Sequence, residues 1–151
     1  MVQFRLNGQP AQSTAPNTTT LLNVLAHELQ VSGSKFGCGQ AQCNACLVMV
    51  DGNPVKSCVA PVSAVAGRHV TTLAGMVVRG KPSKLQQAFI DEQAAQCGYC
   101  TSGMIIAAQA LLDRNPRPTD AEVRIALDGN LCRCGAHNRI VKAVLSAAQG
   151  A

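Results

Sequence analysis

Eight cysteines fall into two groups of four, and no other feature of this sequence constrains its fold so tightly. The first group is Cys38-x4-Cys43-x2-Cys46, with Cys58 after eleven further residues. The second is Cys97-x2-Cys100, then thirty-one residues, then Cys132-x-Cys134. Eight cysteines in 151 residues is about 5%, below the more than ~8–10% of small disulfide scaffolds. The start, MVQFRLNG, lacks a signal-peptide pattern, so the chain is expected to begin where it is written, in a compartment that keeps thiols reduced. Metal or redox chemistry is therefore favoured over disulfides. With 47% hydrophobic residues the chain can bury a core, which argues against disorder, and its longest apolar stretches, such as Met104 to Leu112, fall far short of the ~20 residues of a membrane span.

The pattern along the chain predicts strands with one helix, then helices alone, an α+β arrangement. Val2, Phe4 and Leu6 alternate with polar residues, and Asn7-Gly8-Gln9-Pro10 is a turn leading to a return strand through Ala15. Thr20 is placed to cap a helix with Leu21, Leu22, Val24, Leu25 and Leu29 on its apolar face. Glycines 33, 37 and 39 make Ser32 to Cys46 a loop. Leu47 to Val50, a turn at Asp51-Gly52-Asn53-Pro54, and Val55 to Val62 form a second hairpin, and His69 to Leu73 a last strand. The pattern lapses between about Ala74 and Pro82, dividing a first domain, 1–75, from a second, 82–151. In the second, helices are expected from Ser83 to about Ala94, from Ser102 to before Pro116, from the Thr119/Glu122 capping box to near Gly129, and from about Asn138, together a four-helix bundle.

The spacing of the first group is that of a plant-type 2Fe-2S site: three thiolates converge from one glycine-bearing loop and a fourth arrives from a neighbouring strand. Glycines let backbone N–H groups approach the cluster sulfurs. In the second group both pairs precede predicted helices, whose N-termini suit an anionic thiolate cluster. Cys97-Gly98-Tyr99-Cys100 resembles a thioredoxin-type dithiol, but no strand precedes it and six cysteines are left without a role. Structural zinc fits the second group as well as iron does, whereas x4-x2 spacing argues against it in the first. A 2Fe-2S cluster at each group is the reading that uses all eight.

Three segments carry a more specific resemblance: Cys38-Gly39-Gln40-Ala41-Gln42-Cys43-Asn44-Ala45-Cys46-Leu47-Val48, Gln96-Cys97-Gly98-Tyr99-Cys100-Thr101-Ser102-Gly103-Met104 and Gly129-Asn130-Leu131-Cys132-Arg133-Cys134-Gly135. Together they resemble the iron–sulfur subunit of the xanthine oxidase family of molybdenum hydroxylases, over nearly the whole chain. The resemblance implies an N-terminal β-grasp ferredoxin-like domain and a C-terminal four-helix bundle, each with a 2Fe-2S cluster. Cys38, Cys43, Cys46 and Cys58 would hold the cluster farther from molybdenum, and Cys97, Cys100, Cys132 and Cys134 the nearer one. Gln96 and Cys134 match positions that approach the pterin of the molybdenum cofactor, expected as molybdopterin cytosine dinucleotide in a large partner subunit. Related proteins usually have Gly at the position of Asn44 and often at that of Ala41. Asn tolerates a positive φ and Ala does so less well, so these departures bear on loop geometry and cluster potential, not on ligation.

The family reaction is hydroxylation of a carbon beside nitrogen or oxygen, and two electrons leave the metal per turnover. The resemblance implies that this chain conducts them singly and has no substrate site. His27, a boundary residue of the first helix, His69, a strand residue, and His137 are isolated, with no acid–base partner; His137, three residues after Cys134, is the one with a chance of lying near the cofactor. Asn17-Thr18-Thr19 matches a glycosylation sequon that is incidental without secretion. Arg114, Arg117, Arg124, Arg133, Arg139 and Lys142 make the second half basic, yet with 3% aromatic residues and no binding motif, nucleic acid is not an expected partner. Arg133, between two ligands, is expected to feel the cluster's field. Each oxidised four-thiolate cluster carries a formal charge of about −2, so two of them bring the chain from +5 to about +1. The segments around Lys35 to Gln42 and Gln86 to Gln96 look most like small subunits of N-heteroaromatic hydroxylases of the nicotinate and isoquinoline type, with aldehyde-oxidising enzymes as the alternative. The expected acceptor is an FAD subunit or a cytochrome c-type protein. Expected residence is cytoplasmic without direct membrane insertion, or membrane-associated or exported through a partner subunit. Readings from other classes are a free-standing two-cluster carrier and a zinc-stabilised interaction module.

Overall fold

The computed structural model of the chain describes residues 1–150; Ala151, the last residue of the expected second domain, lies outside the described residues. Strand β1 (Val2–Leu6) turns at Asn7-Gly8 into β2 (Gln9–Ser13), which ends two residues before the expected Ala15. Both turn residues have left-handed φ, 51° and 84°, as a two-residue hairpin requires. A second such turn, Asp51-Gly52, joins β3 (Leu47–Val50) to β4 (Asn53–Lys56). The expected strand from Val55 to Val62 is therefore corrected: it starts two residues earlier and stops at Lys56. Pro54, which lacks an N–H, is tolerated because β4 is an edge strand, and beyond Lys56 the chain leaves the sheet in a turn that carries Cys58. A 3-10 segment, Val62–Val65, leads into β5 (His69–Thr71), shorter than expected. The sheet order is β2-β1-β5-β3-β4, with β5 parallel to β1 and antiparallel to β3.

Thr20 caps α1 (Leu21–Asn23) by accepting the Asn23 N–H, and the helix continues as a π-helical turn, Val24–Glu28. Its apolar face, Leu21, Val24 and Leu25, packs on the sheet with Val2, Phe4, Leu6, Val48, Val50 and Val70 to form one core; His27 is exposed. Four further helices follow. α2 (Lys84–Asp91) is closed by a Ser83/Gln86 capping box and ends before the expected Ala94; α3 (Thr101–Arg114) begins one residue early, so Ser102 is a buried helical residue and not its cap. α4 (Asp120–Leu127) has the expected Thr119/Glu122 box, and α5 spans His137–Gln149. α2 packs on α5, α3 on α4, and α4 on α5 around Met104, Ile106, Val123, Ile140 and Val144. The segment expected to be featureless, 74–82, holds part of a 3-10 turn, Leu73–Met76, and an isolated bridge between Val78 and Lys81. No helix among the described residues is long and apolar enough to cross a membrane.

Strand β3 joins the two halves. All four of its residues are buried: Val48 and Val50 face the first core, while Leu47 and Met49 belong to the helical core. Helix α3 lies against it, and the approach is close enough that a Cβ on Gly103 would stand 2.0 Å from the Asn44 carbonyl oxygen. At that distance backbone must move. Gly103→Ala is expected to destabilise the chain by about 1–3 kcal/mol, read as a lowered midpoint in thermal unfolding followed by circular dichroism.

Candidate metal centres

Cys38, Cys43 and Cys46 of the first group lie on the loop that follows α1 and its π-helical turn and leads into β3. Left-handed φ values at Gly39 (68°), Ala41 (61°) and Asn44 (60°) coil this loop so that its amides point inward. Cys38 Sγ accepts N–H groups from Gln42 (3.2 Å), Cys43 (3.3 Å) and Gln40 (3.5 Å), and Cys43 Sγ accepts that of Cys38 (3.3 Å). A Cβ on Gly37 would come within 2.6 Å of Cys43 Sγ, so only glycine lets the chain pass beside this thiol. Lys56 Nζ donates to the Ala41 carbonyl at 2.7 Å, and the Ser57 hydroxyl donates to the Cys46 carbonyl at 2.6 Å, tying the turn that bears Cys58 to the loop. The fourth cysteine thus comes from the turn after β4 and not from a strand.

The second group is built by two helix starts. Cys100 is the residue that opens α3, and Cys132 and Cys134 precede α5, whose capping residue Ala136 donates its N–H to Cys132 Sγ at 3.4 Å. Gln96 Nε2 donates to the Cys134 carbonyl at 3.4 Å, which brings the two expected pterin-facing residues together at the surface. His137 Nε2 is 3.1 Å from the Asn130 carbonyl oxygen, one turn from the ligand loop. His69 is exposed on β5, and Arg133 is exposed beside the second group.

The thiols divide into unlike partners. The N–H groups of Gln40, Cys43 and Gln42 hold the Cys38 thiol down to about 6, and burial pushes Cys46 up to about 11. In the second group, burial pushes Cys100 up to about 12, while the Tyr99 N–H lowers Cys97. Burial presses Cys132 upward, but N–H groups of Ala136, Cys134 and Gly135 prevail and hold it below the usual thiol range. Cys46 and Cys100 are neutral thiols near pH 7 unless a bound cation stabilises the thiolate form. All eight cysteines are free, and four thiols in each group match the four-cysteine ligation of a 2Fe-2S cluster. Among the described residues no group of three or more Cys, His, Asp or Glu side chains is gathered closely enough to hold a single metal ion. The inward amides fit a sulfur-rich anion.

The two groups are neighbours. A cavity of about 390 Å³ is lined by Cys38 and Cys43 from the first, by Cys97, Cys100 and Cys132 from the second, and by Tyr99, Leu131, Arg133 and His137 between them. Leu131 N–H donates to the Cys43 carbonyl at 3.2 Å, and the Tyr99 hydroxyl donates to the Phe36 carbonyl at 2.5 Å. Lys56 and Ser57 lie outside the motifs, and Tyr99 and Asn130 lie inside the quoted segments with no role assigned to them; only their positions beside the cysteines carried a signal.

Comparison with known proteins agrees with this architecture. Residues 4–74 match the family model of a 2Fe-2S iron-sulfur cluster binding domain, and residues 72–145 that of a second 2Fe-2S binding domain. The chain is 50% identical over 148 residues to one of the subunits of nicotinate dehydrogenase from Pseudomonas putida, covering 98% of this chain and 94% of the relative. This is an iron–sulfur subunit of the xanthine oxidase family. Within the family, the alpha subunit of isoquinoline 1-oxidoreductase from Brevundimonas diminuta is 47% identical over 152 residues, covering 100% of this chain and 99% of the relative. Quinoline 2-oxidoreductase from Pseudomonas putida 86 superposes with a TM-score of 0.94 at 32% identity, over 99% of this chain and 93% of the matched one. The aldehyde oxidoreductase of Desulfovibrio desulfuricans matches with a TM-score of 0.92 at 39% identity over 97% of this chain, which spans 17% of that longer polypeptide. These relatives are subunits or portions of oxidoreductases, and the two matched domains support two 2Fe-2S clusters.

The divided thiols give a pH signature. In metal-free chain, alkylation of Cys38 should rise with pH through a midpoint near 6, because the thiolate is the nucleophile and exists above its pKa, while Cys46 and Cys100 stay unreactive up to about 11 and 12. Mass spectrometry of labelled peptides checks this.

Proposed function

We propose that this chain is the electron-transfer subunit of a molybdenum hydroxylase that works on an N-heteroaromatic substrate. The observation that carries the proposal is the hydrogen bond from Leu131 to Cys43, which joins the loop of one cysteine group to that of the other across a cavity that both line. Each 2Fe-2S cluster supplies the capacity to take up and release one electron at a time. Cys97, Cys100, Cys132 and Cys134, in a helical domain at 82–151, hold the cluster that receives electrons from the large subunit. Cys38, Cys43, Cys46 and Cys58, in a ferredoxin-like domain at 1–75, hold the one that passes them out. Gln96 and the Cys134 backbone form the surface presented to the pterin, in its cytosine dinucleotide form, and the Gln96 to Cys134 hydrogen bond supports that orientation.

The chain's own residues set how this works. Inward amides around Cys38 and Cys43 stabilise added negative charge without a titrating group. Phe36, Tyr99 and Leu131 are 62%, 50% and 61% exposed, the last two at the shared cavity, and such apolar side chains favour a chain that lives against a partner subunit over a free-standing carrier. The kinship to nicotinate and isoquinoline enzymes supports the heteroaromatic substrate over an aldehyde. Electrons then leave to an FAD subunit or a cytochrome c-type acceptor from a cytoplasmic complex.

Reduced complex is expected to give two distinguishable 2Fe-2S signals in electron paramagnetic resonance. Zinc in place of iron on metal analysis would overturn the proposal. In rapid-mixing kinetics, Cys134→Ser is expected to slow the first electron step out of the molybdenum site at least ~10-fold, and Cys43→Ser to leave that step intact while blocking the next. The opposite pattern would reverse the cluster order.

A further inference from the structure

Three hydrogen bonds cross the seam between the loops of the two cysteine groups, Tyr99 to Phe36 and two others that are adjacent. Beside the bond from Leu131 to Cys43 (3.2 Å), Asn44 Nδ2 donates to Asn130 Oδ1 at 3.3 Å. Cys43 and Asn44 are consecutive, as are Asn130, Leu131 and Cys132, so the bonds form adjacent rungs between the ligand loops. Between the Cys43 and Cys132 loops a lone rung is a pivot, whereas two resist rotation; the Tyr99 to Phe36 bond ties the other loop of the second group. The backbone at Asn44, with φ of 60°, is one that glycine adopts at least as readily, so the asparagine is not needed for the turn; its side chain is what supplies the second rung. Two glycines make room for it. A Cβ on Gly129 would stand 2.8 Å from Asn44 Nδ2, and one on Gly103 would stand 2.0 Å from the Asn44 carbonyl. On the far side Asn130 is 3% exposed, and His137, at the first turn of α5, contacts its carbonyl at 3.1 Å.

We propose that Asn44 and Asn130 are a positioning pair that holds the two cluster loops in fixed register, so that single electrons pass rapidly from the second site to the first. The inference rests on the reading of both cysteine groups as 2Fe-2S sites in series. No bond forms or breaks in the step: one site loses an electron and the other gains it. Neither asparagine touches substrate or reacting atoms; the pair acts through the loops.

The test uses the loaded complex carrying Asn44→Gly, a change the backbone accepts. Both sites should keep their iron and their midpoint potentials, while electron transfer between the clusters, followed after pulsed reduction, should slow several-fold, because a looser seam lets the two loops drift apart. The magnetic splitting between the two reduced clusters should broaden as their separation loses definition. Asn130→Ala should act alike, and the double variant should be no slower than either single one; if Asn130→Ala does not fold, Asn44→Gly alone decides. An unchanged transfer rate and splitting would overturn the proposal. So would a shifted potential at the first cluster with an unchanged rate, which would confine Asn44 to its own loop. Absence of iron from the unaltered chain would instead overturn the underlying reading of the sites.

Discussion

The packing of α3 against the outward face of β3 is the contact on which both cysteine sites depend. β3 has no solvent face: Val48 and Val50 close the sheet's core over α1, while Leu47 and Met49 close the helical core. Since β3 follows Cys46 directly and α3 begins right after Cys100, that one contact sets the first group against the second. Gly103 makes it possible by leaving space for the Asn44 carbonyl. The two halves thus share a core along β3, and the distance between the cysteine groups is set by close packing, which deforms far less readily than a hinge.

The second requirement is electrostatic. On the proposed ligation, eight thiolates and their clusters place negative charge inside a small chain whose formal charge is +5. Most of the local stabilisation comes from backbone amides, at Gln40, Gln42 and Cys43 in one group and Ala136 in the other, while Lys56 brings a side-chain cation to the Ala41 carbonyl of the first loop. Fixed amide dipoles do not titrate and do not reorganise when an electron arrives, so a site built from them changes charge at little structural cost. The left-handed residues at 39, 41 and 44 aim those amides, and in this respect the loop's geometry and its redox chemistry are one property.

Much of this was legible in the sequence because cysteine spacing and helix signals are local. The first loop, both hairpin turns, the cap at Thr20 and the box at Thr119/Glu122 stand where their residues place them. Ser83-x-x-Gln86 carries the same capping signal, which explains why α2 starts at Lys84. Where sequence and structure part, tertiary demands are the cause. Val55 to Val62 looks like a strand by composition, but Cys58 has to turn back toward Cys46, and Ser57 holds it there. Leu47 to Val50 reads as an ordinary hairpin strand; its four consecutive apolar residues were the sign of burial on both faces. The seam itself was invisible, because its partners, Asn44 with Asn130 and Tyr99 with Phe36, are separated by more than sixty residues. The departure of Asn44 from glycine looked like a local matter of φ, yet the structure gives its side chain a partner in the other half.

The central claim is that four thiolates in each half hold a two-iron cluster and that the two clusters stand close enough to exchange single electrons. Mössbauer spectroscopy of iron-enriched complex tests it most directly, because it counts iron environments without depending on turnover. The account predicts that all the iron of this chain occurs as antiferromagnetically coupled ferric pairs in two equal populations, each of which gains one electron on full reduction. Mononuclear iron, a single two-iron population, or one population that stays ferric while the other is reduced would contradict it.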